Sequence, residues 1–140
     1  MDNNTTYQIT VAASTKNLAK VREFISKHAA SEGFSPQTVA DLCLAVDEAY
    51  TNIIKHAYKF DSTKSVKIDL EFDDQKLSVR LKDKGESFNE AKYVMPDISE
   101  QVKNKRRGGM GVYLMKKLMD EVNYDSSGDE NEIVILKKRE

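Results

Sequence analysis

The period at which apolar residues recur switches from helical to alternating near residue 60 of this chain, and that switch decides which folds are open to it. From residue 36 to about 58, Val39, Leu42, Cys43, Val46, Ala49, Ile53 and Ala57 fall mostly three and four positions apart, on one stripe of a long amphipathic helix. Directly afterwards Val66, Ile68, Leu70 and Phe72 alternate with Lys67, Asp69 and Glu71. Beyond the turn signal Asp73-Asp74, Leu77, Val79 and Leu81 alternate with Ser78 and Arg80. A two-residue period with polar side chains at every second position buries one face and wets the other. The two runs therefore predict a hairpin with one wet face.

The flanking segments complete the outline. Residues 7–13 (YQITVAA) read as a strand ending before Ser14 and Thr15, either of which can cap a helix. Leu18, Val21, Phe24 and Ile25 recur at helical spacing up to Glu32-Gly33, and Ser35-Pro36 opens the long helix with a cap residue and a first-turn proline. A third helix fits residues 111–122, and short strands over 124–126 and 133–136 surround the turn at Ser127-Gly128. The order is strand, helix, helix, two strands, loop, helix, two strands. It predicts an α+β two-layer sandwich with a mostly antiparallel mixed sheet, since the regular strand-helix alternation of a doubly wound parallel sheet is missing. With 140 residues and no repeat or low-complexity linker, residues 1–140 form one domain.

Composition narrows the function classes. The 22 Lys and Arg nearly balance 23 Asp and Glu, a net charge of −1 that argues against a general nucleic-acid binder. No stretch reaches the roughly 20 apolar residues of a membrane span. The start (MDNNTTYQIT) lacks signal-peptide features, and neither Asp2 nor the final KKRE supports a lipid anchor, so a cytoplasmic location is expected. The single Cys43 excludes an intramolecular disulfide and sits within the apolar stripe as a small core residue.

Three segments exceed what a core requires. On the long helix Glu48 and Asn52, four apart, share a face beside Lys55 and His56. A carboxylate and an amide oxygen one turn apart can hold Mg²⁺ directly or through water and position a nucleophile, although a solvated polar face has the same pattern. Asp83-Lys84-Gly85 at the end of a strand reads as a turn; alternatively, the Asp83 carboxylate can accept the exocyclic amine of adenine while Gly85 lets the base approach the backbone. The same carboxylate would oppose the carbonyl oxygen of guanine. Finally, Arg107, Gly108, Gly109, Met110 and Gly111 open the third helix behind Lys103, Lys105 and Arg106. This is a mobile basic loop or a place where backbone N–H groups, helix dipole and cations converge on a polyphosphate.

In this order and spacing the segments resemble the N, G1 and G2 boxes of the GHKL (Bergerat-fold) ATPases. LAVDEAYTNIIKHAY (residues 44–58), DKGESFN (83–89) and GGMGVYLMKKLMDEV (108–122) look more specifically like the anti-sigma-factor serine kinases, and the likeness covers nearly the whole chain. It implies ATP and Mg²⁺ as cofactors, Glu48 as catalytic base or orienter of a substrate serine hydroxyl, and Asn52 as the Mg²⁺ ligand. Asp83 receives adenine N6, Gly85 supports the base, Arg107 lies near the terminal phosphate, and Gly109, Met110 and Gly111 form the phosphate-facing hinge of an ATP lid over about 89–108. It further implies a homodimer that binds a sigma factor and phosphorylates an anti-anti-sigma antagonist on serine.

One position departs from the pattern. Many family members carry Gly-Thr before the last strand, where Asn131-Glu132 stand here. Asp47 also competes with Glu48 as the base, and the helical register with Asn52 favours Glu48. A binding module that holds nucleotide and sequesters a partner without phosphoryl transfer is the alternative, since a fold carries ligand residues without turnover. A sensor histidine kinase fragment would need a phosphoacceptor helix, and His28 lies in an ordinary amphipathic pattern.

Overall fold

The computed structural model describes residues 4–85, 110–127 and 129–140. Strand β1 (Thr5–Ala12) leads through a 3-10 turn to helices α1 (Leu18–Ser31) and α2 (Pro36–Asn52). Strands β2 (Ser65–Phe72) and β3 (Lys76–Asp83), helix α3 (Met110–Leu118) and strands β4 (Glu121–Ser127) and β5 (Glu130–Lys138) follow. The strands form one sheet in the order β1-β2-β3-β5-β4. Every pairing between neighbours is antiparallel, so the parallel component expected of a mixed sheet does not occur among the described residues.

Local chemistry sets the element boundaries. The Ser14 side chain accepts from the Lys16 N–H and that of Ser35 from the Thr38 N–H, so each hydroxyl satisfies a donor left over at a helix start. Gly33 ends α1 at φ 92, a conformation costly for any side chain. Between the layers, Val66, Ile68, Leu70, Phe72, Leu77, Val79, Leu81, Ile133 and Ile135 of the sheet are buried with Val21 and Ile25 of α1, Leu42, Val46 and Ala49 of α2, and Met115 of α3. At roughly 1.5–3 kcal/mol for each fully buried large side chain, this layer is the main source of stability.

The opposite sheet face is wet and charged. Arg80 Nη1 lies 2.7 Å from Glu132 Oε1, Lys82 Nζ 3.4 Å from Asp69 Oδ2, and Gln8 Nε2 2.7 Å from Asp69 Oδ1. Two expectations need adjustment. The long helix changes character after Asn52, becoming a π turn over Ile53–Ala57, closed by the Tyr58 N–H on the Ile53 carbonyl at 3.0 Å. The third helix ends at Leu118, not 122, because Val122 pairs with Ile135 in the last hairpin. Val122 and Tyr124 fit a strand alternation as well as a helical step, and cross-strand pairing decides between them.

Past β5 the chain clasps the α1–α2 turn. Arg139 donates to the Glu32 carbonyl at 2.6 Å, the Glu32 carboxylate at 2.8 Å and the Asp73 carbonyl at 2.8 Å, and its guanidinium stands 5.4 Å from the Phe34 ring centroid. Glu140 accepts from the Ser35 hydroxyl at 2.7 Å, the Ser35 N–H at 3.1 Å and the Thr38 hydroxyl, adding a carboxylate to the N-terminus of α2.

Candidate functional site

Helix α2 spends one stripe on the core, through Leu42, Val46 and Ala49, which leaves Glu48 and Asn52 half-buried on another side. One turn apart, their Cβ atoms stand roughly 5–6 Å from each other. The Asn52 Nδ2 is buried with no hydrogen-bond partner among the described residues, a donor left to meet an oxygen acceptor of a ligand. Burial pushes the Glu48 carboxyl up, the Asp47 charge adds to the rise, and Lys55 partly offsets it. A half-buried acid held above its ordinary range is suited to accept a proton near neutrality.

Asp47 faces elsewhere. Its Oδ2 takes a charge-assisted bond of 2.6 Å from Arg22 on α1, and its Oδ1 is buried without a partner among the described residues. The helical register thus separates two neighbouring carboxylates into a tether between helices and an acid beside Asn52.

At the end of β3, Asp83 is 4% exposed. Its Oδ1 accepts from the Gly85 N–H at 2.9 Å and from Asn131 Nδ2 at 2.9 Å. Asn131, itself buried, also donates to the Gly85 carbonyl at 3.0 Å, and its Oδ1 accepts from the Ser126 hydroxyl at 2.8 Å. Burial pushes the Asp83 carboxyl up and the nearby Glu130 charge adds to this, while the bonds from Asn131 and Gly85 pull it down. Of the two residues that stand where Gly-Thr was expected, Asn131 therefore faces the site. Glu132, next along β5, points to the wet face and pairs with Arg80. The sequence shows this pair only as a departure from the family pattern and gives neither residue a role; the signal is the register that sets Asn131 opposite Asp83.

The π turn brings the α2 and β3 components together. A Cβ at position 85 would collide with the Ala57 carbonyl and come within 2.8 Å of Tyr58 Cδ1. The Tyr58 hydroxyl accepts from the Lys84 N–H at 2.8 Å and donates to the Ser65 carbonyl at 2.7 Å. The segment leaving Asn52 thereby holds the segment leaving Asp83. Lys59 at φ 49 and Phe60 at φ 66 then turn the chain away in left-handed conformations unusual for residues with a Cβ. Short π turns and such conformations concentrate at functional sites.

On the wet face behind Asp83 a cavity of about 490 Å³ is lined by Thr10, Lys67, Lys82, Lys84 and Glu130 among others. Thr10, Lys67 and Lys82 lie directly opposite one another in register, so they share the face away from Glu48 and Asn52. Met110 and Gly111 lie in the first turn of α3, which packs on α2, so free backbone N–H groups at that end belong to the same helical layer. Arg107, Gly109 and the lid expected over 89–108 lie outside the described residues. Among the described residues no group of three or more His, Cys, Asp and Glu gathers as a metal cage. No described helix is long and apolar enough to cross a membrane.

Known proteins resemble this chain in sequence and in fold. Residues 11–138 match the family described as the Histidine kinase-like ATPase domain. The chain is 35% identical over 128 residues to the serine-protein kinase RsbW of Bacillus subtilis (strain 168), covering 87% of this chain and 79% of that protein. It is 36% identical over 102 residues to the RsbW of Listeria monocytogenes serovar 1/2a, covering 70% of this chain and 65% of that relative's length. Among solved structures, one of the RsbU and RsbW domains of Rv1364c from Mycobacterium tuberculosis superposes with a TM-score of 0.70 at 16% identity, over 96% of this chain and 32% of that one. The SiaB–SiaC complex from Pseudomonas aeruginosa gives 0.61 at 9% identity, over 94% of this chain and 88% of that one. At these identities the two structures speak for the fold. With the matched residues running from β1 through β5, the chain belongs to the histidine kinase-like ATPase domain family, in the group of the RsbW serine-protein kinases.

Proposed function

We propose that this protein is an ATP-dependent protein serine kinase that acts as an anti-sigma factor, binding a sigma factor and phosphorylating an antagonist protein on serine. The observation that carries this reading is Glu48, a half-buried acid raised by its surroundings one helical turn from Asn52, whose Nδ2 has no partner among the described residues. A site that only held nucleotide would have no use for such an acid. The 35% identity to a protein named as a serine-protein kinase supports the reaction class, and the fold shared with SiaB, described in complex with SiaC, supports a protein partner.

In this reading Asp83 accepts the adenine amine and Gly85 gives the base access to the backbone. Asn52 would hold Mg²⁺, an ion seldom caged by protein alone, through its amide oxygen. Mg²⁺ supplies neutralisation of the charge that develops on the transferred phosphoryl group. Glu48 orients the serine hydroxyl and takes its proton. Met110 and Gly111 at the start of α3, with Arg107 and Gly109 before them, serve the phosphate side under a lid formed by residues 89–108. The rest of the catalysis is alignment of the serine oxygen with the terminal phosphate.

A homodimer through β1 and a cytoplasmic location belong to the same reading. The outer edge of β1 has no strand neighbour among the described residues, and TTYQITVA contains none of the charges that usually guard an exposed edge.

Calorimetry of ATP, ADP and GTP with Mg²⁺ tests the site, comparing the native chain with Asn52→Ala and Asp83→Asn. Adenine-selective binding that both variants weaken is expected. Transfer of labelled phosphate to a serine-bearing antagonist, abolished in Glu48→Gln, then tests the reaction. Nucleotide binding without transfer to any antagonist would leave a binding module, and no nucleotide binding would remove both readings.

A further inference from the structure

A carboxylate distinguishes adenine from guanine only while it is an acceptor with a free oxygen aimed at the base. Asp83 is buried, and burial alone favours the protonated form, which would donate a hydrogen bond as readily as accept one. Protonated, it would satisfy the carbonyl oxygen of guanine, and the discrimination would fall. The groups that oppose this are the Asn131 amide and the Gly85 N–H, and of the two only Asn131 is a side chain.

We propose that Asn131 is the specificity-determining positioning residue of the site: by occupying Oδ1 of Asp83 it leaves Oδ2 as the acceptor for the exocyclic amine of adenine. The inference rests on the reading of Asp83 as the base-recognising residue. Oδ1 receives two donors, the Gly85 N–H and Asn131 Nδ2, both at 2.9 Å, and no donor among the described residues meets Oδ2. The orientation of the Asn131 amide is fixed by its own partners. Its nitrogen faces a carboxylate and the Gly85 carbonyl at 3.0 Å, while its oxygen receives the Ser126 hydroxyl at 2.8 Å; a flipped amide would set oxygen against two acceptors and nitrogen against the hydroxyl. The network thus runs from Ser126 on β4 through Asn131 on β5 to Asp83 on β3.

Two effects follow from one amide. A donor on Oδ1 stabilises the ionised carboxylate against its burial. The same donor, together with the Gly85 N–H, fixes the plane of the carboxylate and therefore the direction of Oδ2. The other titratable groups near Asp83 are Glu130, whose charge favours protonation, Tyr58, whose hydroxyl is bonded to the Lys84 N–H and the Ser65 carbonyl, and the lysines at 82 and 84. Among the described residues none of these donates a hydrogen bond to the carboxylate, so Asn131 is the side chain that keeps Asp83 an acceptor.

The test is the ratio of ADP to GDP affinity, measured by calorimetry at about pH 6 and about pH 8. The native chain, Asn131→Leu, Asn131→Thr, Ser126→Ala and Asp83→Asn are compared, each first checked by thermal unfolding. The native ratio is expected to favour ADP at both pH values. Asn131→Leu should lower it by about tenfold or more, corresponding to about 1.4 kcal/mol, with the larger loss at the lower pH. Ser126→Ala, which removes only the support of the amide oxygen, should fall between, and Asn131→Thr, which restores a donor, should recover part of the ratio. Asp83→Asn should lose the preference at both pH values. If Asp83→Asn keeps the native preference, the assignment of Asp83 itself fails. If Asp83→Asn loses it while Asn131→Leu and Ser126→Ala keep the native ratio at both pH values, Asn131 is a packing residue and the inference is overturned. Should Asn131→Leu fail to fold, Ser126→Ala and Asn131→Thr still decide the question.

Discussion

The Ala57 carbonyl occupies the space into which a side chain at position 85 would have to grow, so the end of the helix that carries Asn52 dictates a glycine in the segment that follows Asp83. Ala57 is the last residue of the π turn over Ile53–Ala57, and its carbonyl abuts the segment that follows Asp83. Conformation in one element thereby constrains sequence in another.

Gly85→Ala is accordingly expected to be costly despite the small change. Its Cβ would force the Lys84–Gly85 segment away from Ala57 and Tyr58, at the roughly 1–3 kcal/mol typical of an overpacked contact. Urea unfolding should show the loss, and ADP affinity should fall with it because the Gly85 N–H bond to Asp83 is disturbed. Native stability and native affinity in the variant would remove the constraint.

Glu48→Gln should stabilise the protein while abolishing phosphoryl transfer. The folded state holds Glu48 above its ordinary range, so the unfolded chain ionises it more easily and the wild type loses stability as pH rises through that window. At neutral pH the uncharged variant escapes the burial penalty and the repulsion from Asp47. Its melting temperature should therefore exceed that of the wild type at pH 7 to 8. The advantage should shrink as pH falls towards the ordinary glutamate value, where Glu48 becomes neutral by itself. A melting-temperature difference that grows on acidification would contradict the sign.

Arg139→Ala should destabilise the chain out of proportion to its position near the end of the sequence. It removes donors from the Glu32 and Asp73 carbonyls and a cation from the Phe34 ring together. Because the guanidinium is partly exposed, an expected loss of about 1–3 kcal/mol in urea unfolding is discounted towards the lower half of that range. Arg139→Lys, which keeps the charge but not the planar fork, should recover little of it.

Tyr50→Phe tests the join between β1 and α2. The hydroxyl lies 2.8 Å from the carbonyls of both Ala12 and Ser14 and accepts from the Ser14 N–H at 3.2 Å, within a fully buried side chain. Removing one oxygen leaves these groups without that partner, at a cost of about 1–2 kcal/mol, readable from thermal unfolding. No change in stability would mean that water replaces the hydroxyl.

Much of this arrangement was legible in the sequence because it rests on periodicity. The alternation of Val66, Ile68, Leu70 and Phe72 with charged residues fixed which face of β2 meets the helices, and the four-residue step from Glu48 to Asn52 put both side chains on one face of α2. Cap chemistry at Ser35-Pro36 marked the helix start for the same local reason. The features that escaped are tertiary. Nothing in IIKHA distinguishes a π turn from an α-helix until Gly85 is packed against it, and Val122 satisfies either period until Ile135 is its partner. Asn131 gives no local signal at all. Its role exists only because β5 enters the sheet beside β3, in the register that sets it opposite Asp83.

That placement of β5 carries a consequence for biosynthesis. Although β5 follows β4 in the chain, it is not added at the rim but inserted between β3 and β4, and its Asn131 amide is a clamp on the Asp83 carboxylate. A nascent chain that has emerged only as far as α3 holds Glu48, Asn52, Asp83 and Gly85 and yet lacks the clamp. The Asp83 carboxylate therefore gains this partner only once β5 has emerged and entered the sheet beside β3.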